Sequence, residues 1–92
     1  LHTTLLIGTV AQYQAIASAS SITPLQRIQP VTGALTINTI NTPNIFGAEL
    51  VLLSEGGFVL GTTGNIAVAK ITATGDAVML YFNFRDSKWY PK

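Results

Sequence analysis

Ninety-two residues with a net charge of +1 are enough for one hydrophobic core and too few for two. Charged residues make up 10% of the chain, far below the roughly 25% usual in soluble domains. The five basic residues are scattered, which argues against a nucleic-acid face, and the absence of cysteine excludes disulfides, thiolate metal sites and thiol nucleophiles. No apolar run is long enough for a membrane-spanning helix, so membrane insertion is not expected.

The chain opens Leu1-His2, which suggests a piece of a longer polypeptide. In its first twenty residues Ala and Gln favour helix over Val10–Ala19, whereas alternation around Tyr13, Ala15 and Ala17 favours strand. Strand is the reading adopted, with residues 1–21 taken as a strand segment or linker and 22–92 as the folded module. Ser20-Ser21 reads as a turn, Ile22-Thr23-Pro24 as a short extended piece, and Gln26–Gln29 as another that ends at Pro30. Ala34–Ile40 is a predicted strand with Leu35 and Ile37 on one face and a bulge or end near Asn38–Thr39. Asn41–Gly47 is a predicted loop whose Ile45 and Phe46 fold back on the core.

Ala48–Ser54 alternates Leu50 and Leu52 with Val51 and Leu53, so both faces are apolar. Glu55-Gly56-Gly57 turns the chain into Phe58–Leu60. A further turn, Gly61–Asn65, is expected to hold Gly64 or Asn65 at positive φ. Ile66–Thr72 and Ala77–Phe84 read as strands separated by Thr74-Gly75-Asp76, and Arg85-Asp86-Ser87 turns into Lys88–Pro91. The expected fold is all-β, a small antiparallel sandwich or jelly-roll-like barrel. Leu35, Ile37, Leu50, Leu52, Ile66, Val78, Leu80 and Phe82 are its predicted core.

Chemistry is thin. His2 is the only histidine and has no partner in view. Glu55, Asp76 and Asp86 fall in predicted turns and Glu49 at a strand edge, where acidic side chains are ordinary surface groups rather than an acid–base pair. Gly61–Asn65 lacks the Lys-Ser/Thr of a phosphate loop. Catalytic, cofactor and metal residues are therefore expected to be none. Trp89 and Tyr90 are the candidate glycan contacts, although neighbouring strand residues point to opposite faces and cannot form one platform. Core or interface plugging is the competing role for Trp89. Scarce charge and two-sided apolar strands together imply a second chain as cover.

A set of short elements in fixed order carries a resemblance. Ile22-Thr23-Pro24, Val31–Ile40, Pro43, Phe46-Gly47, Leu50–Leu53, Gly64–Ala67, Ala77–Tyr81 and Trp89–Pro91 resemble the carboxy-terminal module of tailed-phage tail fibres, tailspikes and related virion proteins. Phe82–Arg85 departs from that pattern, and the first twenty residues match nothing in it. The resemblance implies a non-enzymatic virion module at the particle surface that holds three chains in register. It leaves host-surface glycan binding as the alternative function.

Overall fold

The computed structural model describes residues 14–41 and 48–92. The chain is all-β. Its strands are β1 (Ile16–Ala17), β2 (Ser21–Ile22), β3 (Ile28–Thr32), β4 (Thr36–Ile37), β5 (Thr39–Ile40), β6 (Glu49–Ser54), β7 (Val59–Leu60), β8 (Lys70–Ile71), β9 (Ala77–Asn83) and β10 (Lys88–Pro91). They form a five-stranded sheet β1-β3-β6-β9-β10, a three-stranded sheet β4-β7-β8 and a pair β2-β5.

The expected antiparallel sandwich is corrected by the pairings. β1–β3, β3–β6, β2–β5 and β4–β7 all run parallel. The chain passes from the five-stranded sheet to the three-stranded sheet to the β2-β5 side, and then repeats the circuit one level on. This is the winding of a short β-solenoid, in which each coil buries its inner side chains by stacking on its neighbour. Beyond β7 the direction changes. β8 pairs antiparallel with β7, β9 with β6, and β10 with β9, closing the stack with a hairpin.

Stacking decides which apolar residues go inside. On one wall Leu52 lies between Gln29 and Val78, and Leu50 beside Leu80. On the second, Ile37 lies beside Leu60. On the third, Ile22 meets Ile40, while Ile66 forms a parallel bridge to Trp89. All these apolar residues are buried, together with Val31 and Phe58, in one core. Of the predicted core, Leu35 is misplaced: it is 62% exposed, because it precedes β4 and the coil turns its inner face only at Ile37. Phe82 is partly buried against the core.

Several local expectations also change. Ala34–Ile40 is two strands broken at Asn38, and only Lys70–Ile71 of Ile66–Thr72 is strand. Ser21 belongs to β2 rather than to a turn. β3 continues through Pro30, whose missing N–H falls before the β1 pairing starts at Ile16 and Val31. Gly64 does not have positive φ; Gly33, Gly57, Gly75 and Ser87 do. Gly64 is required for close approach instead. A Cβ there would lie 2.2 Å from both the Asn38 carbonyl oxygen and Thr39 Oγ1, on the coil beneath. Residues 1–13, with His2, and the loop at 42–47, with Ile45 and Phe46, lie outside the described residues.

Candidate functional site

Polar side chains inside the coils serve the backbone. The Gln29 side chain is buried; its Oε1 accepts from the N–H groups of Leu25 (2.7 Å) and Gln26 (3.2 Å). Its Nε2 donates to the carbonyls of Pro30 and Gln14. Thr72 Oγ1 donates to the Phe58 carbonyl, so the Ser54 hydroxyl 2.9 Å away gives its proton to Thr72 and accepts from Gly57 N–H. Asn65 binds Ile40 on both sides: Oδ1 accepts from Ile40 N–H and Nδ2 donates to Ile40 O, each at 2.9 Å. An amide side chain thereby takes the place of a third strand beside β5. These groups tie neighbouring parts of the backbone together.

The carboxylates are similarly engaged at the surface. Glu49 forms an exposed ion pair with Arg27, Asp76 accepts from Ala73 N–H, and Asp86 accepts from Lys88 N–H and the Tyr90 hydroxyl. The Tyr90 phenol is pushed above its ordinary value, first by that hydrogen bond to Asp86 and then by desolvation and the Asp86 charge. Among the described residues no cluster of three or more His, Asp or Glu is placed to hold a metal ion.

Among the described residues several large apolar side chains face outward, Leu25, Val68 and Phe84 among them, and others form two rows. On the outer face of the five-stranded sheet, Ile28, Val51 and Met79 lie side by side across β3, β6 and β9. Ile28 is 55% and Met79 45% exposed. Parallel to that row, Leu53 lies between Pro30 and Ala77. On the outer face of the three-stranded sheet, Thr36, Val59 and Ile71 form another row. Ile71 is 82% exposed, and exposed Leu35 precedes this row in the chain. The two-sided apolar strand read at 48–54 has its second face here, with Leu50 and Leu52 inward and Val51 and Leu53 outward.

The two candidate glycan contacts separate as strand alternation requires. Trp89 is buried at 1% exposure, packed against Phe82 with ring centroids 5.0 Å apart, and its indole N–H has no partner among the described residues. Tyr90 faces outward at 38%. Its neighbour across the ladder is Tyr81, with Glu49 beyond it. Sequence adjacency could not reveal that tyrosine pair, because the hairpin register brings it together.

These features define a class, an all-β chain with parallel stacked coils and an antiparallel hairpin cap. No protein-family model matches the chain, and no curated protein matches it. The fold is similar to a solved structure described as "Structure of a chaperone-substrate complex", at a TM-score of 0.54 and 17% identity. The likeness covers 80% of this chain and 14% of that one. It bears on the fold alone.

Proposed function

We propose that this chain is a non-enzymatic structural module of a phage virion that homotrimerises at the end of a tail-fibre or tailspike-type protein, or decorates the particle. The observation that carries self-assembly is the apolar outer row Ile28–Val51–Met79 on a chain with 10% charged residues. Water-facing sheet faces are ordinarily polar, and a contiguous apolar one marks an interaction surface. The phage setting and the number three come from the residue resemblance over Ile22–Pro91. Engagement of the carboxylates in turns and an ion pair supports the non-enzymatic reading. Sedimentation at micromolar concentration tests the proposal: a mass near three times 9.8 kDa supports it, and a folded species at 9.8 kDa refutes it.

The second reading is recognition of a host-surface glycan. It is favoured by the outward Tyr90 beside Tyr81, since aromatic faces suit the apolar faces of sugars. A glycan array on the parent chain and on Tyr90→Ala tests it. Binding that is absent in the parent, or unchanged in the variant, removes this reading.

A further inference from the structure

We infer that the starting end of the coil stack is a strand-addition edge, and that residues 7–10 of this chain occupy it as one more parallel level beside β2. The two ends of the stack are built differently. At the far end Trp89 N–H donates to Asn65 O and Trp89 O accepts from Ala67 N–H, each at 2.8 Å, and Pro91 has no N–H to offer. Lys88 adds a charge of the kind that discourages further pairing. At the starting end β1 and β2 are the last described strands of their sheets. Ser20 O and Ile22 O accept from the N–H groups of Thr39 and Asn41, so planar trans peptides aim Ser21 N–H and Thr23 N–H the opposite way, off the stack. Ser18 N–H bonds Thr32 O and by the same geometry turns Ala17 O outward. On the third wall Ser18 Oγ and Ser20 O already accept from Leu35 and Asn38 N–H, so the open edge is that of β1 and β2. No proline and no charged residue lies between Gln14 and Thr23 to guard it, and an unguarded edge accepts another strand.

The path of the coil names the occupant. The chain crosses from the β2-β5 side to the five-stranded sheet between Ile22 and Ile28, a step of six, and between Ile40 and Glu49, a step of nine. It also arrives on that sheet at Ile16, and the same two steps counted back from there end at residues 10 and 7. Each described level of the β2-β5 side contributes one isoleucine to the core: Ile22, Ile40 and Ile66. Ile7-Gly8-Thr9-Val10 is uncharged, three of its four residues favour strand, and Ile7 precedes Ile16 by the same nine residues that separate Ile40 from Glu49. Ile7 beside Ile22 extends the isoleucine column by one level, and parallel register then sets Ile7 C=O opposite Thr23 N–H. A second copy of the chain would have to be brought to this edge from solution, whereas residues 7–10 are tethered to it through β1.

Amide exchange and nuclear Overhauser contacts on the full 92-residue chain test this. The expected result is Thr23 N–H exchange slowed by about tenfold or more against an unstructured peptide, with contacts from Ile7 to Ile22. Thr9→Pro, which removes the N–H facing Thr23 O in this register, and Ile7→Asp should each abolish the slowing at Thr23 while Leu52 N–H stays slow. The contacts in the parent chain decide the matter even where both variants unfold. Thr23 N–H exchanging at the unstructured rate overturns the inference, and so does slowing that survives in a variant. Protection that fades on dilution, or contacts found only between differently labelled chains in a mixed sample, gives the edge to a second copy and also overturns it. A chain that sediments at 9.8 kDa refutes self-assembly and leaves this inference standing.

Discussion

Asn65 offers the sharpest test of the coil, because one side chain holds two backbone groups of the neighbouring level. Its Oδ1 and Nδ2 each lie 2.9 Å from Ile40, on the N–H and C=O respectively. Ile40 is 2% exposed, so water has little access to replace those bonds. Leaving a buried donor or acceptor unpaired costs about 1–3 kcal/mol each. Asn65→Ala should therefore destabilise by roughly 2–4 kcal/mol, taking the lower half of that doubled range because Asn65 itself is half-buried. For a domain of this size the melting temperature should fall by about 10–20 °C. Asn65→Asp separates the two bonds. Its carboxylate still accepts from Ile40 N–H but repels the Ile40 carbonyl, and only the protonated acid can donate there. The neutral form is thus favoured on folding, so the carboxyl's contribution is present at acid pH and lost as pH rises through its folded value. Stability of that variant relative to the parent should improve on acidification. The assay is denaturant unfolding at fixed chain concentration, which keeps any assembly constant. A loss under about 0.5 kcal/mol in Asn65→Ala would refute the reasoning, showing that Ile40 is satisfied without it.

Leu52→Ala should cost about 2–5 kcal/mol, since Leu52 is fully buried between Gln29 and Val78 and the coils above and below cannot collapse freely; an unchanged thermal midpoint would show the wall to be wrongly assigned. Tyr90 should titrate above its ordinary value of about 10 in an ultraviolet pH titration, and Asp86→Asn should bring it down. Because its folded value is raised, what the Tyr90–Asp86 bond contributes to stability is present below the ordinary phenol value and lost as pH rises through the folded one. A Tyr90 titration unaffected by Asp86→Asn would remove that bond as the cause.

β6 and β9 were legible because they are long enough to alternate. Burial alternates with period two over residues 49–54 and over 77–80, and Gly75 supplies the positive φ of the turn Ala73–Asp76 that leads from β8 into β9. The shortest strands were not legible. β1, β2, β4, β5, β7 and β8 are two residues long, too short for alternation to emerge. Their signal lies between coils: Ile22 beside Ile40, Ile37 beside Leu60, and Asn38 donating to Ser20 O while Asn65 donates to Asn38 O. Unequal turns between these elements, and the break at Asn38 where the chain leaves one sheet for another, prevent any fixed spacing. Leu35 shows the consequence. Alternation within residues 34–40 placed it inward with Ile37, but Leu35 lies before β4 begins at Thr36 and nothing in the run marks that boundary. Trp89 fared better, since a side chain that large beside a chain reversal had few places to go but the core.

The coil also changes what scarce charge means. In parallel stacked strands each residue sits about 4.8 Å from its counterpart on the next level, so a charged position repeated from coil to coil would build a column of like charges. Neutral polar groups avoid that repulsion and hydrogen-bond along the column. Asn38 Nδ2 to Ser20 Oγ at 3.4 Å and Asn41 Nδ2 to Ser21 Oγ at 2.7 Å do so on the β2-β5 side. Part of the missing charge therefore belongs to the architecture and requires no partner chain. That account does not extend to the rows Ile28–Val51–Met79 and Val59–Ile71 on the other two walls, although Glu49, Tyr81 and Tyr90 share the outer face of the first. Stacking alone would be served as well by threonine at each of those places, as it is at Thr36. The excess of apolar over neutral polar side chains on just these walls is what the coil leaves unexplained, and it is there, rather than in the charge count of the whole chain, that self-assembly finds its support.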